Sequence, residues 1–282
     1  MHVVNTEQAE AWNGAEGAHW AEHDDRVSGA NAALHDHLFG AAAVGPADLV
    51  LDIGCGAGET TRLAAARAPD GLAVGIDLSA PMLEQARAAA EREGLANIRF
   101  VRGDAQVYPF GDGDYDVVIS QFGIMFFADP VAAFANVARA IRPGGRLVFV
   151  CPRDMALCEW YTVPLRALLR IAAGAEGAAD ALPESGMFSL ARRSVIADAL
   201  AAAGLDDVAT RPVDVPLPFG RDAEEATAFY LGSGPVRALL AEHPEVTPGE
   251  ARDGLVAALR PFEGPDGVRV PGAHWLVTAR RR

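Results

Sequence analysis

The sequence predicts an α/β fold, a mostly parallel sheet with helices on both faces, and three observations carry that prediction. Between Asp48 and Cys151, short β-branched or apolar runs alternate with alanine-rich amphipathic stretches, the pattern that builds strand–helix–strand units. The first run passes through Leu51-Asp52-Ile53-Gly54-Cys55-Gly56-Ala57-Gly58 straight into a helical segment. Two acidic residues, Asp77 and Asp104, follow the next two strands, at the edge where open α/β sheets bind ligands.

Taken in order, strands are expected at residues 49–53, 73–77, 98–102, 115–120 and 146–151. Helices are expected at 60–68, 81–93 and 130–141, with Ser79 as a cap before Pro81 and Gly94 as a stop. Ahead of this core, about forty residues read as short helices rich in Trp12, His19, Trp20, His23, His35 and His37. Behind it come a helix at 154–173, a Gly/Ala loop, and a helix at 189–203 closed by Gly204. Strands at 207–217 and 268–279 follow, separated by a mostly helical stretch, 227–260, that Pro235, Pro244 and Pro248 interrupt. The organisation expected is a helical N-terminal cap or lid over residues 1–47, a ligand-binding core over 48–151, and a helical insertion after strand five over 152–282 whose final strands complete the same sheet.

The chain has 282 residues and a net charge of −14, with every one of its 24 basic residues an arginine. Such a chain has no electrostatic reason to seek phosphate backbones or anionic membranes, so neither nucleic acid nor membrane is an expected partner. Cys55, Cys151 and Cys158 form no CxxC pair and leave an odd count, which argues against a disulfide framework or a structural zinc site and for a reducing cytoplasm. No stretch is long and apolar enough to read as a membrane span, and the N-terminus shows no basic region followed by an apolar run.

A strand, a glycine loop and a helix together make a ligand site, because glycines admit close backbone approach and the free amides at a helix start donate to anions. A dinucleotide fingerprint would place its third glycine where Glu59 stands, which weakens an NAD reading. Asp77, nineteen residues beyond Gly58, offers a carboxylate suited to the two hydroxyls of a ribose. Asp104 is placed to accept from the exocyclic amine of a purine, or else is a solvated turn residue.

These residues, with Gly75-Ile76-Asp77, Gly103-Asp104-Ala105, Tyr115-Asp116-Val117-Val118-Ile119-Ser120 and Ile141-Arg142-Pro143-Gly144-Gly145-Arg146-Leu147, resemble the class I S-adenosylmethionine-dependent methyltransferases over residues 48–151. Ser120-Gln121-Phe122-Gly123-Ile124-Met125-Phe126-Phe127 is further similar to the ubiquinone- and menaquinone-methyltransferase-like subgroup that acts on small molecules. The resemblance implies a Rossmann-like sheet and S-adenosylmethionine as cofactor. It implies that Asp52, Gly54, Gly56 and Gly58 surround the methionine part, that Asp77 holds the ribose, and that Leu78 and Met82 lie beside the adenosine. Asp104 and Ala105 would read the adenine, and Ser120 and Gln121 would lie beside the sulfonium.

The segment Ser120-Gln121-Phe122-Gly123 lacks the Asn/Asp-Pro-Pro-Tyr/Phe signature for planar amino groups, which disfavours nucleobase and glutamine-amide acceptors. No acidic set suggests a metal. The expected activity is methylation of a small molecule at oxygen or carbon, with nitrogen next. Relatives that use the bound cofactor for other reactions, or a non-catalytic cofactor-binding partner, stand as alternatives. His19 and His23, four residues apart, are candidate bases on one helix face, or equally surface histidines with Trp20 packed beneath. The oligomeric state is not legible.

Overall fold

The structure is a computed structural model that describes residues 2–22, 24–173, 182 and 186–282, with backbone alone described over 24–31. Eight strands form one sheet: β1 (Leu49–Ile53), β2 (Leu72–Asp77), β3 (Ile98–Arg102), β4 (Tyr115–Gln121), β5 (Ile141–Pro152), β6 (Asp206–Gly220), β7 (Glu263–Gly264) and β8 (Gly267–Arg280). Their order is β3-β2-β1-β4-β5-β8-β6, with β7 forming a short hairpin on β8. The first five are mutually parallel, and β8 enters antiparallel between β5 and β6. Strand order reverses between β1 and β4, so their carboxyl ends flank the crevice in which such sheets bind ligands.

Helices α1 (Thr6–Asn13), α2 (Ala15–Glu22) and α3 (Asp24–Ala42) precede the sheet. Helices α4 (Glu59–Arg67), α5 (Ala80–Arg92) and α6 (Pro130–Ala140) link its parallel strands. Helices α7 (Glu159–Ala173) and α8 (Arg193–Ala202) follow β5, and α9 (Ala223–Gly232), α10 (Gly234–Glu242) and α11 (Pro248–Leu259) lie between β6 and β7. Two apolar clusters sandwich the sheet: one joins Leu34, Leu38 and Val50 to Leu165, Phe229 and Leu255, the other joins Leu51 and Ile119's neighbour Val118 to Phe134, Phe149 and Leu200. Because both faces are covered, β1, β4 and β5 read as near-continuous apolar runs rather than alternating ones.

Several element boundaries differ from the sequence expectation for visible reasons. The strand β5 starts at Ile141, not 146, because Tyr115 pairs with Ile141 before a register shift carries the ladder past the glycines to Arg146. The helix α8 starts at Arg193 rather than at residue 189, since the Ser189 hydroxyl donates to the Met125 carbonyl at 2.6 Å instead of capping a helix. Pro235 and Pro248 do not break a helix but sit in the first turns of α10 and α11, where the missing N–H costs nothing, and Thr247 with Glu250 makes a capping box ahead of the latter.

The N-terminal helices are pinned at several points. Asn13 donates to the Leu78 carbonyl and accepts from the Ala80 amide and the Arg102 guanidinium, each at 3.0 Å. Glu16 accepts from Trp20 at 2.7 Å and from Arg237 of α10 at 3.0 Å.

Candidate functional site

The strand β1 runs out at Ile53 into a loop whose backbone does what side chains cannot. Gly54 has φ +66°, and a Cβ there would lie 2.6 Å from the Gly123 Cα, so the loop and the end of β4 meet backbone to backbone. Next to that contact Phe122 is held at φ +59°, a conformation costly for an aromatic residue and of the kind that collects at ligand sites. At the end of β2 the Asp77 carboxylate accepts from the amides of Gly56 and Ser79, both at 2.8 Å, and so ties the glycine loop to the start of α5. Burial raises the Asp77 pKa above the ordinary carboxylate value while these backbone bonds oppose the rise. One lone pair on each oxygen remains for a ligand hydroxyl.

A cavity follows this edge and continues under the N-terminal helices. Gly54, Gly56, Asp77 and Leu78 line it, as do Met82, Asp104, Ala105 and Gln121. Three residues expected at the ligand stand behind the wall instead. Asp52 is buried and accepts from the hydroxyls of Thr60 and Thr61, both at 2.6 Å, pinning the first turn of α4 to β1. Burial pushes its pKa up to about 6, and its Oδ1 has no hydrogen-bond partner. Ser120 donates to the Ile53 carbonyl at 2.7 Å, joining β4 to β1. Gly58, at φ +81°, starts α4, and a Cβ there would lie 2.7 Å from the Phe100 ring.

Asp104 stands on the cavity wall and is also tied to the N-terminus. Its carboxylate accepts from the Val4 and Asn5 amides, both at 2.9 Å, from the Asn5 side chain at 2.7 Å and from the Gln106 amide at 3.0 Å. Four donors fill the lone pairs of a carboxylate, which leaves none for a purine amine. Asn5 goes on to accept from the Ala128 amide at 2.6 Å, so Asp104 ties the N-terminus across the edge of the sheet.

The histidines are redistributed as well. His19 does not line the cavity; its ring lies 5.0 Å from that of Phe229 and packs where a side chain at Gly232 would sit. His23 lies outside the described residues. His35 of α3, which sequence reasoning did not select, does line the cavity, with Nε2 3.7 Å from Glu59. Burial, assisted by Arg67, lowers its pKa to about 4, so at neutral pH this is a neutral imidazole beside a carboxylate rather than an ion pair. A histidine held neutral by the fold contributes stability that is complete above the unfolded pKa near 6.5 and is lost as pH falls toward 4. Between pH 7 and 4, His35→Gln should therefore lose less stability than the parent, by about 1–2 kcal/mol in urea denaturation. Parallel pH profiles of the two proteins would show the burial effect to be wrong.

The far end of the cavity depends on a repair in α7. Pro164 has no N–H, so the carbonyl four residues earlier, Trp160's, loses its helical partner. The buried Tyr230 hydroxyl of α9 donates to that carbonyl at 2.8 Å and holds the turn bearing Trp160 against the cavity. Tyr230→Phe leaves the carbonyl unpaired and should cost about 1–3 kcal/mol of stability. An unchanged denaturation midpoint would contradict this.

The glycine loop and Asp77 stand on the cavity wall at the switch point of an α/β sheet, the place where such folds bind their ligands. A family model described as a methyltransferase domain matches residues 50–145. A nocamycin O-methyltransferase from Saccharothrix syringae is 34% identical over 199 residues, covering 65% of this chain and 71% of that one. A demethylmenaquinone methyltransferase from Thermus thermophilus is 38% identical over 143 residues, 48% of this chain and 64% of that relative's length. The crystal structure of YcgJ from Bacillus subtilis superposes with a TM-score of 0.56 at 23% identity, over 88% of this chain and 97% of that one. The chain belongs to the class I S-adenosylmethionine-dependent methyltransferases, and S-adenosylmethionine is its cofactor. The residues fit that cofactor: a backbone-only loop admits a ligand closely, Asp77 keeps an acceptor site on each oxygen, and Leu78 and Met82 give an apolar wall.

Among the described residues no group of three or more His, Cys, Asp or Glu side chains is placed to hold a metal, and no helix is long and apolar enough to cross a membrane.

Proposed function

We propose that the chain transfers a methyl group directly, in line, to an oxygen or carbon of a small molecule, with nitrogen the next choice. The observation that carries this reading is one cavity whose wall includes both the glycine loop with Asp77 and an apolar aromatic stretch of Trp160, Phe219 and Phe229. The bound cofactor supplies an electrophilic methyl on a positively charged sulfur. The chain's own residues then have three tasks. The Gly54–Gly123 contact and Asp77 fix the cofactor's position, the aromatic wall of Trp160, Phe219 and Phe229 orients the acceptor, and the N-terminal helices, through Trp12 and Trp20, exclude water. We expect Gly54, Gly56, Asp77, Leu78, Met82, Ala105 and Gln121 to contact the cofactor, and Asp52, Gly58 and Ser120 to hold the loop from behind.

Alignment is expected to dominate the rate, because proximity can supply roughly 7–11 kcal/mol whereas a general base gives about 10²–10⁴-fold. His19, packed against Phe229 and off the cavity wall, is not proposed as a base. The test is release of S-adenosylhomocysteine across a panel of phenols, enols and amines. Release that tracks consumption of a phenol or enol supports the reading; release confined to amines overturns the preference for oxygen and carbon.

A further inference from the structure

Six aromatic rings on the cavity wall form a continuous chain. Ring centres lie 5.9 Å apart for Phe126 and Trp12, 6.2 Å for Trp12 and Trp20, and 5.9 Å for Trp20 and Phe229. The chain continues at 5.8 Å from Phe229 to Phe219 and at 6.5 Å from Phe219 to Trp160, the last pair stacked with ring planes 21° from parallel. Met125, Met187 and Leu217 fill the wall between them.

Among the described residues no arginine lines this cavity, although the chain carries 24 basic residues. Two arginines on elements that border it are engaged elsewhere: Arg153 with Asp214 at 2.8 Å and Arg237 with Glu16 at 3.0 Å. The acidic side chains among the described wall residues, Glu59, Asp77 and Asp104, stand at the end of the cavity that holds the glycine loop and the carboxyl ends of β2 and β3. Asp77 and Asp104 accept from backbone amides, and Glu59 stands beside His35 at the glycine-loop end. Among the described residues, an anionic acceptor that lost its hydration would meet no arginine on the wall, and a cationic one would find no carboxylate beside Trp160, Phe219 and Phe229.

We infer that the methyl acceptor is an uncharged, flat, apolar molecule of fused-ring or polyunsaturated character, with its nucleophilic hydroxyl or carbon at one end and no phosphate, carboxylate or ammonium group. This inference rests on the methyltransferase reading and narrows its acceptor. Stacking against Trp160 and Phe219 supplies orientation, and Met125 and Met187 adapt the wall to the outline of the ring system.

The experiment is calorimetry on the full chain, first with S-adenosylhomocysteine alone and then, saturated with it, with three probes of one shape: 2-naphthol, 2-naphthyl phosphate and 2-naphthylmethylamine. The expected result is that 2-naphthol binds at least about tenfold more tightly than either charged probe. Trp160→Ala and Phe219→Ala should weaken 2-naphthol about tenfold with S-adenosylhomocysteine affinity unchanged, and Trp160→Phe should restore most of the loss. Equal or tighter binding of the phosphate or the amine overturns the inference, as does absence of 2-naphthol binding to the S-adenosylhomocysteine complex, and in both cases the methyltransferase reading stands. Failure of S-adenosylhomocysteine itself to bind overturns that reading and this inference with it.

Discussion

Asp77→Ala is expected to bind S-adenosylhomocysteine more weakly by about 2–4 kcal/mol, roughly 30- to 1,000-fold in Kd. Two losses add here. In the proposed reading the carboxylate accepts from the ribose hydroxyls, and it also fixes the glycine loop through the Gly56 and Ser79 amides. Asp77→Asn keeps one acceptor oxygen, so it should lose a smaller factor. The two contributions separate with 5′-methylthioadenosine, which keeps the ribose and lacks the amino-acid part of the cofactor. If the ribose contact dominates, that ligand loses the same factor as S-adenosylhomocysteine; if Asp77→Ala binds both like the parent, the ribose role is wrong.

The second large effect falls on stability. Asp104→Ala removes a carboxylate that is 1% exposed and accepts four hydrogen bonds, three of them from Val4 and Asn5. The donors left behind are partly buried, and the N-terminal segment loses its tie across the sheet edge. A cost of about 3–5 kcal/mol is expected, with a melting temperature lower by roughly 10 °C. Hydrogen exchange localises the cause: protection should fall over residues 2–13 and not over β4 or β5. Loss of S-adenosylhomocysteine affinity with stability and N-terminal protection unchanged would restore Asp104 to the adenine.

What the sequence made legible divides by the range of the interaction. Asp77 and the glycine loop are readable because strand, loop and helix are contiguous, and the chemistry of each position follows from local geometry. The ties of Asp104 to the N-terminus are not legible in sequence because its donors, Val4 and Asn5, lie about a hundred residues away and give no spacing signal. Asp52 has the look of a ligand contact, yet the neighbouring hydroxyls of Thr60 and Thr61 turn it inward, and those threonines were visible in the motif. Among the N-terminal histidines a shared helix face selected His19, but tertiary packing against Phe229 and Gly232 takes it off the cavity wall. His35 reaches the wall because α3 leads directly into β1, and nothing in the residues around it marks that placement. The aromatic chain draws on α1, α2, the turn after β4, α7, β6 and α9, so only the assembled fold reveals it. The repair of Trp160's carbonyl by Tyr230, a residue seventy positions on, is equally silent in sequence.

The most direct test of methyl transfer to a small acceptor uses S-adenosylmethionine labelled in its methyl group, incubated with the full chain and an uncharged polycyclic phenol. The account predicts that label passes into an organic-extractable neutral product, one equivalent for each S-adenosylhomocysteine formed, and that Asp77→Ala lowers the yield at subsaturating cofactor. Conversion of the phenol into a product that carries no label, with S-adenosylmethionine unconsumed, would contradict it.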